Sequence, residues 1–398
     1  MFKIILLLLI QSLAHINEVF GAEDELLSVV AVFRHGDRTP TDFPPTDNYQ
    51  NLSYWPTEPG ELTNIGKTEH FELGKWLRKR YYNFLSTTYH KDDIYIRASN
   101  TDRCLMSAEA NLAGLFPPVD RQIWNEDLKW MPIPIHTVPS KDDNLLKMGK
   151  ACPNMKQKYK ALLNNDHFKD IDKKNSKLYD FLSEKLGLQI EKFSDIEAPY
   201  DTMTVEVEYK LEQPEWTNTP WGEDNHKLFP DEMKIWADLS YQTPTYNQEL
   251  ARLGTGRFFD TVASHFQSVL NKNTEELLAK KMALFFGHKS TICDLTHTLG
   301  TFRLASYASS LIFELWKSST DQTIYVTLNY LDNMNPEKLT IAGCTENCAF
   351  EKFLAILEPI RMNKTVWKQE CKGNGAHKIA SSITVISPAI LVVIYYLV

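Results

Sequence analysis

The sequence predicts an α/β fold whose sheet is interrupted by a long helical insertion. Three observations carry this expectation. The apolar runs at Leu27–Phe33 and Met282–Phe286 are continuous rather than alternating, as strands buried on both faces are. Each run stops abruptly at a charged cluster, and the second passes straight into a helical pattern. Between them, from about Trp130 to His265, Lys-rich helical segments alternate with loops carrying Pro199, Pro214, Pro220 and Pro230, with no strong strand.

At 398 residues the chain can bury one large core or two moderate ones. A net charge of -8 with mixed signs argues against a nucleic-acid surface. No repeat or low-complexity tract is present. Lys3 followed by Ile4–Ile10 reads as a signal peptide over residues 1–21, with cleavage after Gly21; a buried N-terminal helix is the alternative. The mature chain then matures in an oxidising compartment, which six cysteines suit. Cys344 and Cys348 close a small loop as a disulfide, since no neighbouring histidine completes a zinc set. Sequons at Asn51 and Asn363 are candidate glycan sites.

The first run ends at Arg34-His35-Gly36-Asp37-Arg38-Thr39-Pro40. Ligands in open α/β sheets sit beyond the carboxyl ends of strands, where this cluster falls. Arginine suits a tetrahedral oxyanion because its planar fork donates paired hydrogen bonds. A histidine between two arginines is kept neutral by their charge, and is therefore nucleophilic. A phosphate pocket with His35 as the attacking group follows; a solvated basic turn is the bland alternative. Gly36 lets the backbone turn closely around a bound group.

After a Pro-rich loop, Thr63 opens a helix to about Tyr82, with Arg78-Lys79-Arg80 at its solvated C-terminal end. A second strand, Asp93–Ser99, leads into a helix starting near Arg103. A helix start adds positive potential to an anion site, but on its own Arg103 reads as an ordinary helix-start arginine, and Arg97 competes with it for any such role. The run at Met282 ends at His288-Lys289. A last strand, Thr323–Leu328, and a helix, Glu351–Leu357, complete the α/β unit.

The pattern Arg34-His35-Gly36-x-Arg38-x-Pro40 resembles the signature of the histidine acid phosphatases. The helix Glu61–Tyr81 and the Arg103-Cys-Leu-Met-Ser-Ala stretch are also similar to that family, and the resemblance spans nearly all of Leu26–Cys371. It implies an α/β fold with a central mixed, largely parallel sheet flanked by helices (phosphoglycerate-mutase-like) and an inserted helical cap. The expected division is 22–130 and 266–372 for the core, 131–265 for the cap and 373–398 for a hydrophobic tail. It also implies that His35 is phosphorylated and then hydrolysed, that Arg34, Arg38 and Arg103 hold the phosphate with His288, and that no metal or cofactor is needed. A mid-chain Cys-Pro tied to a late cysteine maps onto a Cys152–Cys371 disulfide, and the short loop bridge onto Cys344–Cys348. Cys104 and Cys293 remain, as a third bridge or as two buried thiols.

One departure stands against the resemblance. The family carries a His-Asp pair whose aspartate protonates the departing alcohol, and here that position is Lys289. A positioned acid supplies about 10²- to 10⁴-fold, so its loss raises the barrier by roughly 3 to 5 kcal/mol. Lysine is a poor donor at acidic pH, although its charge can stabilise a leaving oxygen. Asp294 lies well round the same helix. Two readings follow: an acid phosphatase with weakened general-acid catalysis, or a phosphate-ester binding protein whose catalysis has decayed.

Beyond Cys371 a short polar spacer precedes the apolar run Ile383–Val398. This suggests a GPI-anchor signal with Asn374 as the attachment residue, against a transmembrane anchor or a secreted product. The expected partners are a small phosphate monoester and, through the tail or a lipid, a membrane, with a homodimer left open. The expected location is the secretory pathway, ending outside the cell.

Overall fold

The computed structural model describes residues 23–273 and 277–372. The expected signal peptide, the expected hydrophobic tail and Asn374 lie outside the described residues, and none of the described helices is long and apolar enough to cross a membrane.

The molecule is organised around β1 (Glu25–Arg34), buried from Ser28 onward. Its side chains alternate between two cores, which is why the run shows no alternation in sequence. Val29, Ala31 and Phe33 face α1 (Asn64–Arg80) and α2 (Asp102–Leu115), packing with Leu73, Leu77, Leu112 and Leu115. Val30 and Val32 face the opposite way, onto Phe258, Phe259, Val262 and Phe266 of α8 (Gln248–Asn271). Thr63 caps α1 as its spacing predicts, its hydroxyl accepting from the Gly66 N–H at 3.2 Å.

Three strands run parallel: β2 (Ile94–Ala98), β3 (Met282–Gly287) and β1, with β3 between the other two. On the other side of β1 the sheet becomes antiparallel through β4 (Ser310–Lys317), β5 (Ile324–Asp332) and β6 (Asn335–Leu339), while the short β7 (Cys348–Ala349) also pairs with β5. The sheet is therefore mixed, as expected, but only the half at β1, β2 and β3 is parallel. β5 extends past the expected Leu328. β4 is a strand that the sequence reading leaves out.

The insertion holds α3 (Pro153–Leu163), α4 (Asp166–Lys174), α5 (Ser176–Leu186), α6 (Glu197–Glu208) and α7 (Met233–Gln242). These surround their own core of Phe168, Leu182, Phe193, Met203, Leu228 and Met233, against which Trp216, Trp221 and Trp236 pack. A two-residue hairpin pairs Pro220–Trp221 with His226–Lys227 inside it. α8 follows, and its second half packs on the sheet rather than on this core.

The chain closes with α9 (Lys289–Thr298), which follows β3 directly, then α10 (Phe350–Leu357) and α11 (Lys364–Cys371). Disulfides join Cys152 to Cys371 and Cys344 to Cys348. Cys104 and Cys293 are free and buried, so the third bridge does not form. Cys104 belongs to the core on the α1–α2 face and Cys293 to the opposite core, with the sheet between them. Burial pushes the Cys104 thiol up to about 11 and the Cys293 thiol up to about 12, so neither is a reactive thiolate.

The basic end of α1 is structural more than solvated. Arg78 donates to the Leu85 and Ser86 carbonyls at 2.8 and 2.6 Å, and Arg80 pairs with the buried Glu314 at 2.7 Å. Asn51 and Asn363 are both exposed; each accepts a backbone N–H through its side-chain oxygen, which leaves the amide nitrogen outward of that bond.

Candidate active site

Parallel pairing sets the site. Arg34 lies in register with Gly287, so the next residues of the two strands, His35 and His288, emerge side by side. The His35 N–H donates to the Gly287 carbonyl at 3.1 Å, and the two rings stand 5.8 Å apart. β2 ends at the same edge, where Ser99 N–H donates to Phe286 O at 2.8 Å, and α2 then brings Arg103 round.

His35 is 3% exposed and its Nδ1 lies 2.9 Å from the Gly36 carbonyl. A carbonyl only accepts, so Nδ1 carries the proton and the neutral ring presents the lone pair on Nε2. Burial first, then the charges of Arg34, Arg103 and Arg38, holds the imidazole far below its usual range. A neutral, oriented imidazole among guanidiniums is equipped to attack an electrophilic centre bearing anionic oxygens.

The arginines are held by the backbone and by rings. Arg34 donates to Ala305 O at 2.8 Å and stacks 3.8 Å from the centre of the Tyr307 ring. Arg38 donates to Thr39 O at 2.9 Å, and Arg103 to Gly60 O at 3.3 Å. Buried Nε donors of all three guanidiniums, and the Tyr307 hydroxyl, have no partner within the protein. That surplus of donors fits a site built for an anion. His288 lies 3.0 Å from Ser99 Oγ through Nε2, and burial with Arg103 nearby keeps it neutral. Arg97 is excluded: its guanidinium binds the buried Asp143 at 2.6 Å.

Gly36 does something other than yield to a ligand. A Cβ there would lie 2.4 Å from the Gly66 carbonyl oxygen, and one on Gly66 would lie 2.3 Å from Asp37 O. The motif therefore rests directly on the first turn of α1. Asp37 secures it, accepting from the Thr63 hydroxyl and from Tyr209 at 2.9 Å.

Lys289, at the position expected for a general acid, is half-buried and paired. Its Nζ meets Asp201 Oδ1 at 2.6 Å, while Arg38 Nη2 meets Asp201 Oδ2 at 2.5 Å. Burial alone would raise the Asp201 carboxyl, but Lys289, Arg38 and Arg34 outweigh it and keep the group ionised. Burial pulls Lys289 below its usual range, and Asp201 opposes that shift. Asp294 lies elsewhere: it is buried beside Glu197, and burial raises its carboxyl far above the ordinary range.

Sequence reasoning missed Asp201, Tyr307 and Glu208. Glu208, seven residues after Asp201 and so on the same face of α6, is exposed. Partial loss of hydration pushes its carboxyl up to about 7, against the pull of Arg34. Tyr307 is raised to about 12 by burial. None of the three carries a local motif.

The model of the histidine phosphatase superfamily (branch 2) matches residues 25–330. The chain belongs to this superfamily. Among its relatives, the lysosomal acid phosphatase of Homo sapiens is 32% identical over 348 residues, covering 86% of this chain and 79% of the relative. The prostatic acid phosphatase of Mus musculus is 32% identical over 362 residues, covering 90% and 92%. Among solved structures, the phytase of Citrobacter braakii superposes with a TM-score of 0.63 at 17% identity, covering 87% of this chain and 99% of that one. A Hafnia alvei phytase in complex with tartrate gives 0.64 at 16%, covering 86% and 98%. At such identities the likeness is one of fold.

Proposed function

We infer that this histidine phosphatase hydrolyses phosphate monoesters by passing the phosphoryl group first to His35 and then to water. The observation that carries the reading is the His35 Nδ1 contact with the Gly36 carbonyl, which leaves the Nε2 lone pair free for attack. Nε2 forms a bond to phosphorus in line with the ester oxygen, which departs with its electron pair. Arg34, Arg38 and Arg103, with His288, balance the charge on the phosphoryl oxygens. Water then attacks the phosphohistidine, the P–N bond breaks, and the pair returns to Nε2. Because Lys289 stands where an acid would, the departing oxygen leaves without a ready proton, and alkyl esters lose most of the usual factor of about 10² to 10⁴.

The acid phosphatase relatives and the two disulfides support a secretory-pathway hydrolase acting on small phosphate esters. A second reading, binding without turnover, rests on Lys289, which stands where a general acid would and is ion-paired to Asp201. Rapid quench with a labelled aryl phosphate separates the two. An acid-labile phosphoenzyme is expected in the wild type and absent in His35→Ala. The same trapped species in that variant overturns the assignment, and tight phosphate binding with no trapped species favours the binding protein.

A further inference from the structure

Asp201 spans two cations. One carboxylate oxygen rests on Arg38 Nη2 at 2.5 Å and the other on Lys289 Nζ at 2.6 Å, with side-chain exposures of 14% for Asp201, 8% for Arg38 and 15% for Lys289. Arg38 belongs to the phosphoryl pocket, so the Lys289 ammonium lies one carboxylate's breadth from it, with Asp201 of α6 between the two. This is an anion seat, and the chain's own carboxylate fills it. Lys289 Nζ also lies 5.1 Å from the centre of the Tyr241 ring, which borders the seat with Glu197 behind it. Such a seat is of little use to an alcohol. An alkoxide needs a proton, and the ammonium of Lys289 is a poor acid. It is well suited to a leaving group that departs as a stable oxyanion with further negative oxygens to place on Lys289 and Arg38.

We propose that the site takes phosphoanhydrides, of which inorganic pyrophosphate is the simplest, with Lys289 holding the departing phosphate and Asp201 keeping the seat until that phosphate displaces it. The inference rests on the phosphohistidine reading above. His35 Nε2 forms the bond to the terminal phosphorus. The bond from that phosphorus to the bridging oxygen breaks, and its electron pair stays on the bridging oxygen. The departing phosphate therefore needs no proton from the protein, and the ammonium balances its charge. Water then attacks the phosphohistidine, the P–N bond breaks with its electron pair returning to Nε2, one of the water protons goes to solvent, and one pyrophosphate plus one water give two phosphates. A plain strut between cap and core would also pair Lys289 with Asp201, but it would not discriminate between leaving groups.

The test is steady-state kcat/KM of the full-length protein with pyrophosphate, p-nitrophenyl phosphate and glycerol 2-phosphate. Pyrophosphate is expected to exceed glycerol phosphate by about 10²-fold or more. Lys289→Met should lower pyrophosphate turnover by about 10²-fold and the aryl ester far less, with Lys289→Arg keeping the preference. Asp201→Asn frees Arg38 for either substrate and Lys289 for pyrophosphate alone, so it should lower KM for pyrophosphate more than for the aryl ester. Pyrophosphate no better than glycerol phosphate in the wild type overturns the proposal without needing a variant to fold. So does equal loss on both substrates in Lys289→Met. Rapid alkyl-ester turnover abolished in Glu208→Gln would also overturn it, placing the proton on Glu208. Aryl-ester turnover through a trapped phosphohistidine in those cases leaves the parent reading standing. No turnover of any substrate removes both.

Discussion

His265 shows how a single buried ring ties stability to pH. Its Nδ1 accepts the Leu278 N–H at 3.3 Å, so Nε2 carries the proton and donates to Ser28 Oγ at 2.9 Å. Protonating Nδ1 would set one N–H against another, and burial holds the ring's pKa down to about 4. The unfolded chain takes up that proton near the ordinary 6.5, well before the fold does. This contribution is therefore complete above the unfolded value and is lost as pH falls through the window down to the folded one. His265→Gln should shrink the difference in unfolding free energy between about pH 7 and about pH 4.5 by roughly 2–3 kcal/mol, read by denaturant titration. An unchanged difference would show that the ring is not neutral in the fold. At this scale Arg34, His35 and Arg38 were legible because one strand end carries them within five positions. Asp201 and Tyr307 were not, because each lies more than a hundred residues along the chain from that strand end and nothing in its own neighbourhood marks it.

Between elements, the Arg34–Pro40 loop is seated directly on the first turn of α1. Gly66→Ala would set a methyl group 2.3 Å from the Asp37 carbonyl oxygen and 2.6 Å from its nitrogen, both backbone atoms that cannot swing aside. The expected result is a loss of about 1–3 kcal/mol or more in stability, with reduced turnover because Arg38 shifts with Asp37. Gly149→Ala, with no atom near its Cβ position, is the control and should be neutral by thermal melting. A normal melting temperature and normal kcat for Gly66→Ala would mean that the loop is not seated as described. The elements easiest to read were β1 and β3, continuous apolar runs buried on both sides. β4 escaped because Glu314 sits in its middle, and a charge inside a strand argues against burial. The fold accommodates that carboxylate with Tyr81 at 2.6 Å, Thr327 at 3.0 Å and Asn329 at 3.1 Å, besides Arg80. The expected division at residue 265 falls inside α8. One helix serves two cores, with Leu250 and Leu253 against Cys152 and Trp367, and Phe258–Phe266 on the sheet.

Across the whole molecule, Cys152–Cys371 fastens the start of α3 to the end of α11 over a separation of 219 residues, whereas Cys344–Cys348 spans only 4. The longer loop restricts the unfolded chain far more. Replacing Cys152 and Cys371 together by alanine should lower the unfolding free energy by about 2–4 kcal/mol and destabilise the α3–α11 contact, while loss of the shorter bridge has a smaller effect. Equal effects of the two bridges, measured by chemical denaturation, would contradict this. The architecture also separates two tasks. The spacing of His35 and His288 follows from the hydrogen-bond ladder between adjacent parallel strands, which no loop or cap residue can easily stretch. What the insertion adds at the pocket is a carboxylate on α6 and the tyrosines Tyr209 and Tyr241. The reaction centre is thus a fixed engine beneath an exchangeable fitting: lineages or protein engineers can recut α6 and α7 for a new leaving group while inheriting the two histidines already aligned.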